Sequence, residues 1–205
     1  MVLQTNNLRG ARRGVRRVQV ADATIQVLAR EGARGLTHRM VDRASKLPQG
    51  STCNYYRTRI ELLSAAAHRI VELDLQDMKW QIEIAESLKG ERAAKKFADK
   101  LAATIIDWLS PKNCERTLAR CELFLEATRD GTLKEIMHQS TQGFMAQNVA
   151  CFRAVGARHP ERAGRSLIYF ILGVLYGRAI LPVSRSAAAE LKALCRSTIA
   201  TMKME

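Results

Sequence analysis

Apolar residues recur three and four positions apart along almost the whole chain, and only four prolines interrupt them. That spacing lines one face of a helix. A half-buried strand needs alternation at every second residue, and no stretch between turn signals shows it. The pattern therefore predicts an all-α fold. From Arg16 to Glu31, Val18, Ala21, Ile25, Leu28 and Ala29 form one stripe, and Gly32 supplies a left-handed stop. Thr37 caps a second, very short helix through its hydroxyl, with Met40, Val41 and Ala44 as a narrow apolar face. Pro48 suits the first turn of a third, because its missing N–H costs nothing there, and Leu47 anchors the turn between the two. Two short helices joined by a tight turn make a helix-turn-helix outline.

Thr58 caps a longer helix with Glu61 completing a capping box, and Ile60, Leu63, Ala67, Ile70 and Val71 carry its stripe to Trp80. After a break at Lys89-Gly90, Ala94, Phe97, Leu101, Ile105 and Trp108 line a fifth helix that Ser110-Pro111 ends. Leu118, Cys121, Phe124 and Leu125 mark a sixth, closed by Asp130-Gly131. Leu133, Met137, Phe144, Phe152 and Val155 mark a seventh running to Gly156. Pro160 opens an eighth and Pro182 breaks it; Leu191, Leu194, Cys195, Thr198 and Met202 line a ninth. The expected organisation is a basic arm over residues 1–15, a helix-turn-helix domain over 16–62 and a helical body over 63–205.

The formal charge of +13 is unevenly placed: residues 1–60 carry twelve Lys or Arg against three acids, and the other 145 carry 21 against 17. A polyanion partner for the first sixty residues follows, since neutralised phosphates release counterions. In "NNLRGARRGVRRVQV" the arginines are separated by glycines, a spacing that suits a minor groove or a row of phosphates. The five cysteines (53, 114, 121, 151 and 195) are odd in number and form no C-x-x-C, which argues against a zinc site or disulfide scaffold and for small core residues. His38, His68, His138 and His159 form no H-E-x-x-H, and there is no glycine-rich phosphate loop or nucleophile motif. No catalytic residue, metal or cofactor is expected. The apolar run from Leu167 to Gly177 falls short of the roughly 20 residues that cross a bilayer. The N-terminus also lacks the apolar region of a secretory signal, so the expectation is a cytoplasmic protein with no membrane partner.

In a helix-turn-helix unit the first side chains of the third helix meet base edges. Here these are Gln49, Gly50, Ser51 and Asn54: either amide pairs bidentately with adenine, Ser is permissive, and Gly50 allows close backbone approach. Tyr55, Arg57 and Arg59 follow, placed to hold phosphates. Successive residues point about 100° apart on a helix, which assigns Tyr56 to the core and Tyr55 to a phosphate. The stretch "GLTHRMVDRASKLPQGSTCNYYRTRIELL" resembles the DNA-binding signature of TetR/AcrR-type transcriptional regulators, aligning without a gap from Gly35 to Leu63. The resemblance puts Thr37, Arg39, Gln49, Gly50, Ser51, Tyr55 and Arg59 at positions that touch DNA, and Leu47 and Tyr56 at buried ones. His38, between Thr37 and Arg39, completes the candidate DNA-binding set. Lys46 stands where the signature has a turn glycine, which would strain a left-handed residue by about 1 kcal/mol. Thr52 and Cys53 replace its usual Leu-Tyr pair, leaving more of the contact to Asn54 and Tyr55.

"SLIYFILGVLYG", in the eighth helix, is apolar around its whole circumference and needs cover on two sides. A second copy of the chain supplies it through a two-fold interface built from Leu167, Phe170, Ile171, Val174, Leu191 and Leu194; the alternative is a central helix wrapped by its own chain. The resemblance also implies a small-molecule effector in the body, with Trp80, Phe97, Trp108, Phe124, Met137, Phe144 and Tyr169 as candidate lining, unless that stripe is plain core. Glu122, Glu126 and Arg129, at helical spacing, read as a surface pair. The function expected is a homodimeric, sequence-specific repressor bound to a palindromic duplex operator and released by an effector. An architectural DNA binder without effector and a helical enzyme are the alternatives.

Overall fold

The computed structural model describes residues 2–180 and 187–204. Among the described residues there are nine α-helices and one 3-10 turn: α1 (Val2–Gly35), α2 (His38–Ala44), the 3-10 turn (Thr52–Asn54), α3 (Arg59–Asp77), α4 (Trp80–Ser87), α5 (Gly90–Trp108), α6 (Cys114–Ala127), α7 (Gly131–Val155), α8 (Pro160–Ile180) and α9 (Ala187–Met204). The fold is all-α, and none of these helices is long and apolar enough to cross a membrane. Pro182, expected to break the eighth helix, lies outside the described residues.

Several breaks follow from the residues that make them. Gly32 takes φ 67° inside α1 and kinks the chain there, as a left-handed stop should. Asp130 does more than close α6: its carboxylate accepts the Leu133 amide at 2.9 Å and so caps α7. Two elements depart from expectation. The backbone is helical from Val2, so the stretch expected as an arm over residues 1–15 continues the first helix. No proline interrupts it, and each glycine costs only about 1 kcal/mol. The helix expected from Thr58 to Trp80 runs from Arg59 to Asp77, and a further short helix, α4, which the apolar pattern did not assign, follows before the Lys89-Gly90 break. Between them Lys79, Gln81 and Ile82 donate to carbonyls three residues back, at Gln76, Met78 and Lys79. That tightening eclipses Met78 and Gln81, and both remain buried.

The described fold comprises two compact units, one of residues 1–72 and 118–137, the other of residues 73–117 and 138–205. The division is discontinuous in sequence, and α3, α6 and α7 each contribute residues to both units. In the first unit Val20, Leu28, Val41, Leu62, Leu63 and Leu123 are buried in one cluster. In the second the Phe97 ring meets Phe152 edge-on at 5.4 Å and Trp80 at 5.7 Å, surrounded by Leu101, Ile105 and Ile199. Burying each such side chain contributes about 1.5–3 kcal/mol.

This core takes residues that had been expected elsewhere. Leu167, Ile171 and Leu191 are buried inside the second unit rather than held out for a second copy, because α8 and α9 lay them against their own chain. Of the expected interface, Phe170 and Val174 are half-buried and Leu194 is exposed. The candidate effector lining also divides. Trp80, Phe97, Trp108 and Phe144 pack in the second unit's core, Phe124 and Met137 in the first unit's, and Tyr169 faces outward at 69% exposure. Burial pushes the Cys151 and Cys195 thiols up to about 12 and about 11, as befits core cysteines.

Candidate nucleic-acid interface

Helix α2 exposes Arg39 and Arg43 and buries Val41 and Asp42. A buried carboxylate needs donors, and those of Asp42 come from the turn beyond the helix. Gly50 N–H donates at 2.7 Å, Thr52 N–H at 2.8 Å and the Thr52 hydroxyl at 2.6 Å. Burial pushes the Asp42 carboxyl up. The bonds from Thr52 and Gly50, with His38 nearby, outweigh that and hold it below the ordinary value of 3.8. The same bonds explain why the third helix expected from Pro48 is a single 3-10 turn. Gly50 sits at φ 85°, left-handed, and so ends the run that Pro48 would start. Beyond it the chain makes only a brief helical succession, with Asn54 N–H bonded to the Ser51 carbonyl and the Tyr55 and Tyr56 amides to that of Thr52.

The ends of α2 and α3 hold this turn in place. Thr37 Oγ1 accepts the Met40 amide at 3.2 Å, the cap expected. At the other end of α2, Lys46 N–H reaches the Arg43 carbonyl and Leu47 N–H that of Asp42, with Lys46 at φ 55°. This bond pair is one that a left-handed glycine ordinarily completes, and here a lysine does so. Gln19 Nε2 donates to the Ser45 carbonyl at 2.8 Å, fastening the same corner to α1. Before α3, Glu61 N–H donates to Thr58 Oγ1 at 3.2 Å, while the Glu61 carboxylate accepts the Arg57 amide at 2.6 Å. It is a capping box displaced by one residue.

The candidate site residues separate by environment. Thr37, Arg39, Gln49, Gly50, Asn54, Arg57 and Arg59 are exposed and Ser51 is half-buried. Gln49 lines a groove with Arg39 and Arg43. Tyr55 and Tyr56 line another with Arg17, His68 and Arg69. Burial does not divide the two tyrosines: both are half-buried and pack against the first unit's core, and the Arg17 guanidinium lies 4.8 Å from the Tyr56 ring centroid. The 100° rule does not apply to them, because they come after a 3-10 turn rather than ride a helix. Two further candidates have partners inside the unit. A ring nitrogen of His38 is hydrogen-bonded to the Tyr56 carbonyl at 2.8 Å. Arg59 donates to the Ala33 carbonyl at 2.7 Å and pairs with Glu126 at 3.1 Å.

Sequence reasoning missed the acids that brace this surface. Glu122 accepts the Ala33 amide at 2.8 Å, just past the Gly32 kink, and Glu126 holds Arg59, so neither is spent on the surface pair expected with Arg129. For Asp42 the one available sign was an acid beside Val41 on the inward side of α2. The outcome is a rigid exposed turn offering the Gln49 and Asn54 amides, flanked by the guanidinium groups of Arg39, Arg43 and Arg57. Amides of this kind read base edges and guanidinium groups hold phosphates.

Residues 92–201 match the family described as "Tetracyclin repressor-like, C-terminal domain". No curated protein matches the chain by sequence. Among solved structures, a transcriptional regulator from Rhodococcus sp. Rha1 is similar over 90% of this chain and 94% of its own, with a TM-score of 0.72 and 16% identity. A putative TetR-family transcriptional regulator from Mesorhizobium loti is similar over 93% and 96%, with a TM-score of 0.73 and 13% identity. The multidrug binding protein EbrR, complexed with imidazole, is similar over 93% and 96%, with a TM-score of 0.65 and 21% identity.

Proposed function

The chain belongs to the tetracyclin repressor-like family of transcriptional regulators, and on that basis we propose that it is a homodimeric, sequence-specific repressor whose Asp42-braced turn reads a palindromic operator. The observation that carries this reading is the hydrogen bonding of Asp42 to Gly50 and Thr52, which fixes the backbone that presents Gln49, Ser51 and Asn54. Preorganised donors and acceptors lose little entropy on binding. Release from the operator follows binding of a small molecule in the second unit, beside Trp80 and Phe144, the two candidate lining residues of that unit's core that are only partly buried. The similar protein EbrR is solved with imidazole bound. Such a ligand acts by favouring the conformation in which the two heads no longer match successive grooves.

The test compares affinities for the protein's preferred duplex and for random duplex. Gln49→Ala and Asn54→Ala lower the ratio of the two, each by about 1–3 kcal/mol of discrimination. Arg39→Ala weakens binding to both duplexes alike. If the amide variants leave the ratio unchanged, the turn does not read bases.

A further inference from the structure

Part of the positive charge lies outside the head. Residues 73–117 and 138–205 contain 17 Lys or Arg against 11 Asp or Glu, and a surplus gathers where α5 packs on α9. Arg92, Lys95, Lys96 and Lys100 share one face of α5 and border, with Asp99, an open groove of about 600 Å³. From α9, Lys192 and Arg196 reach Asp99 at 3.7 and 2.8 Å, and Lys203 pairs with Glu91. Lys96 pairs with Glu83 at 2.5 Å. Arg92 and Lys95 are exposed and make no hydrogen bond or ion pair among the described residues. Lys100, also exposed, attracts Glu83 from beyond ion-pair distance.

We propose that this face of α5 and α9 is a second, sequence-independent grip on the phosphate backbone of duplex DNA. The cations run in a row instead of converging on a point, which fits an extended polyanion better than a small anion. From Arg92 to Lys100 the row spans about 12 Å at the helical rise, a length over which a duplex presents about seven phosphates. Ala94, Ala98 and Asp99 lie between the cations, Ala103 follows Lys100, and Met204 borders the groove that Lys95 shares with Arg196 and Lys203. A single methionine is less apolar surface than the wide face with which a helix binds a membrane, and no aromatic side chain is there to anchor a protein partner. Lysine is depleted at protein interfaces, whereas Lys and Arg make the phosphate contacts of DNA-binding proteins. The proposal rests on the DNA-binding reading only in its choice of polyanion.

The experiment measures binding of the full chain to a random-sequence duplex over a salt series. The variants are Arg92→Gln/Lys95→Gln/Lys100→Gln and the corresponding triple Glu variant, each checked for retained helicity. Each phosphate neutralised contributes about 0.9 to the slope of log affinity against log salt, so the Gln variant flattens the slope by about 2 to 3 and the Glu variant by at least as much. The preference for the protein's preferred duplex over the random one stays unchanged in both. An unchanged slope in either folded variant overturns the proposal. So does binding to phosphatidylserine vesicles that the variants lose while their DNA slope stays as in the wild type, which would assign the face to a membrane. If instead the slope flattens but Gln49→Ala leaves sequence preference intact, the head reading fails and this one stands.

Discussion

Three donors converge on the Asp42 carboxylate, two of them backbone amides of the turn that carries Gln49 and Asn54. Asp42→Asn keeps the volume but sets an amide N–H against those donors, which at neutral pH costs about 2 kcal/mol of folding stability in a denaturant titration. The folded-state pKa lies below the ordinary 3.8. The contribution is therefore complete above 3.8 and disappears as the pH falls through the lowered value, and the wild-type and Asp42→Asn stabilities converge in acid. Lys46, at φ 55°, is strained in the opposite sense: Lys46→Gly raises stability by about 1 kcal/mol, read in the same titration. The caps at Thr37 and Thr58, the stop at Gly32 and the strain at Lys46 were legible in the sequence because cap chemistry is settled within four residues. Asp42 and Glu122 were not, because their partners lie up to 89 residues away and no periodicity points to them.

At the scale of elements, periodicity located the helices well but left open which side of a helix faces what. The all-round apolar pattern of α8 was read as needing a second copy, yet Leu167 and Ile171 are satisfied within the chain. The sequence carries no sign of this, because a helix apolar on every side has no preferred direction in its pattern. The approach of α7 to α8 depends on Gly164, where an added Cβ would stand 2.8 Å from Val149 Cγ2 and 3.1 Å from the Val149 amide nitrogen. Backbone cannot yield as a flexible side chain does. Gly164→Ala is accordingly expected to lower thermal stability by about 1–3 kcal/mol, while Gly173→Ala, with nothing within 4 Å, changes it little. The turn after α2 shows the same limit: proline and glycine mark it, but its length as a 3-10 turn is decided by the Asp42 bonds.

At the scale of the whole molecule, the division into two units joins residues 1–72 to residues 118–137, a discontinuity that no composition shift announces. Among the described residues, Tyr169 on α8 at 69% exposure and Leu194 on α9 at 45% stay uncovered. If these seat a second copy, Tyr169→Glu combined with Leu194→Glu turns a dimer into a folded monomer in sedimentation equilibrium, and operator affinity falls with it. A variant that keeps the dimer mass places the pairing elsewhere. Selection of binding sites from a random duplex pool by the full chain puts the repressor reading to its sharpest trial. A paired, base-reading head enriches a two-fold symmetric sequence with half-sites about 10 base pairs apart, or a multiple of that, and Gln49→Ala/Asn54→Ala loses that enrichment. Recovery of no preferred sequence, or of the same symmetric sequence by that variant, would contradict it.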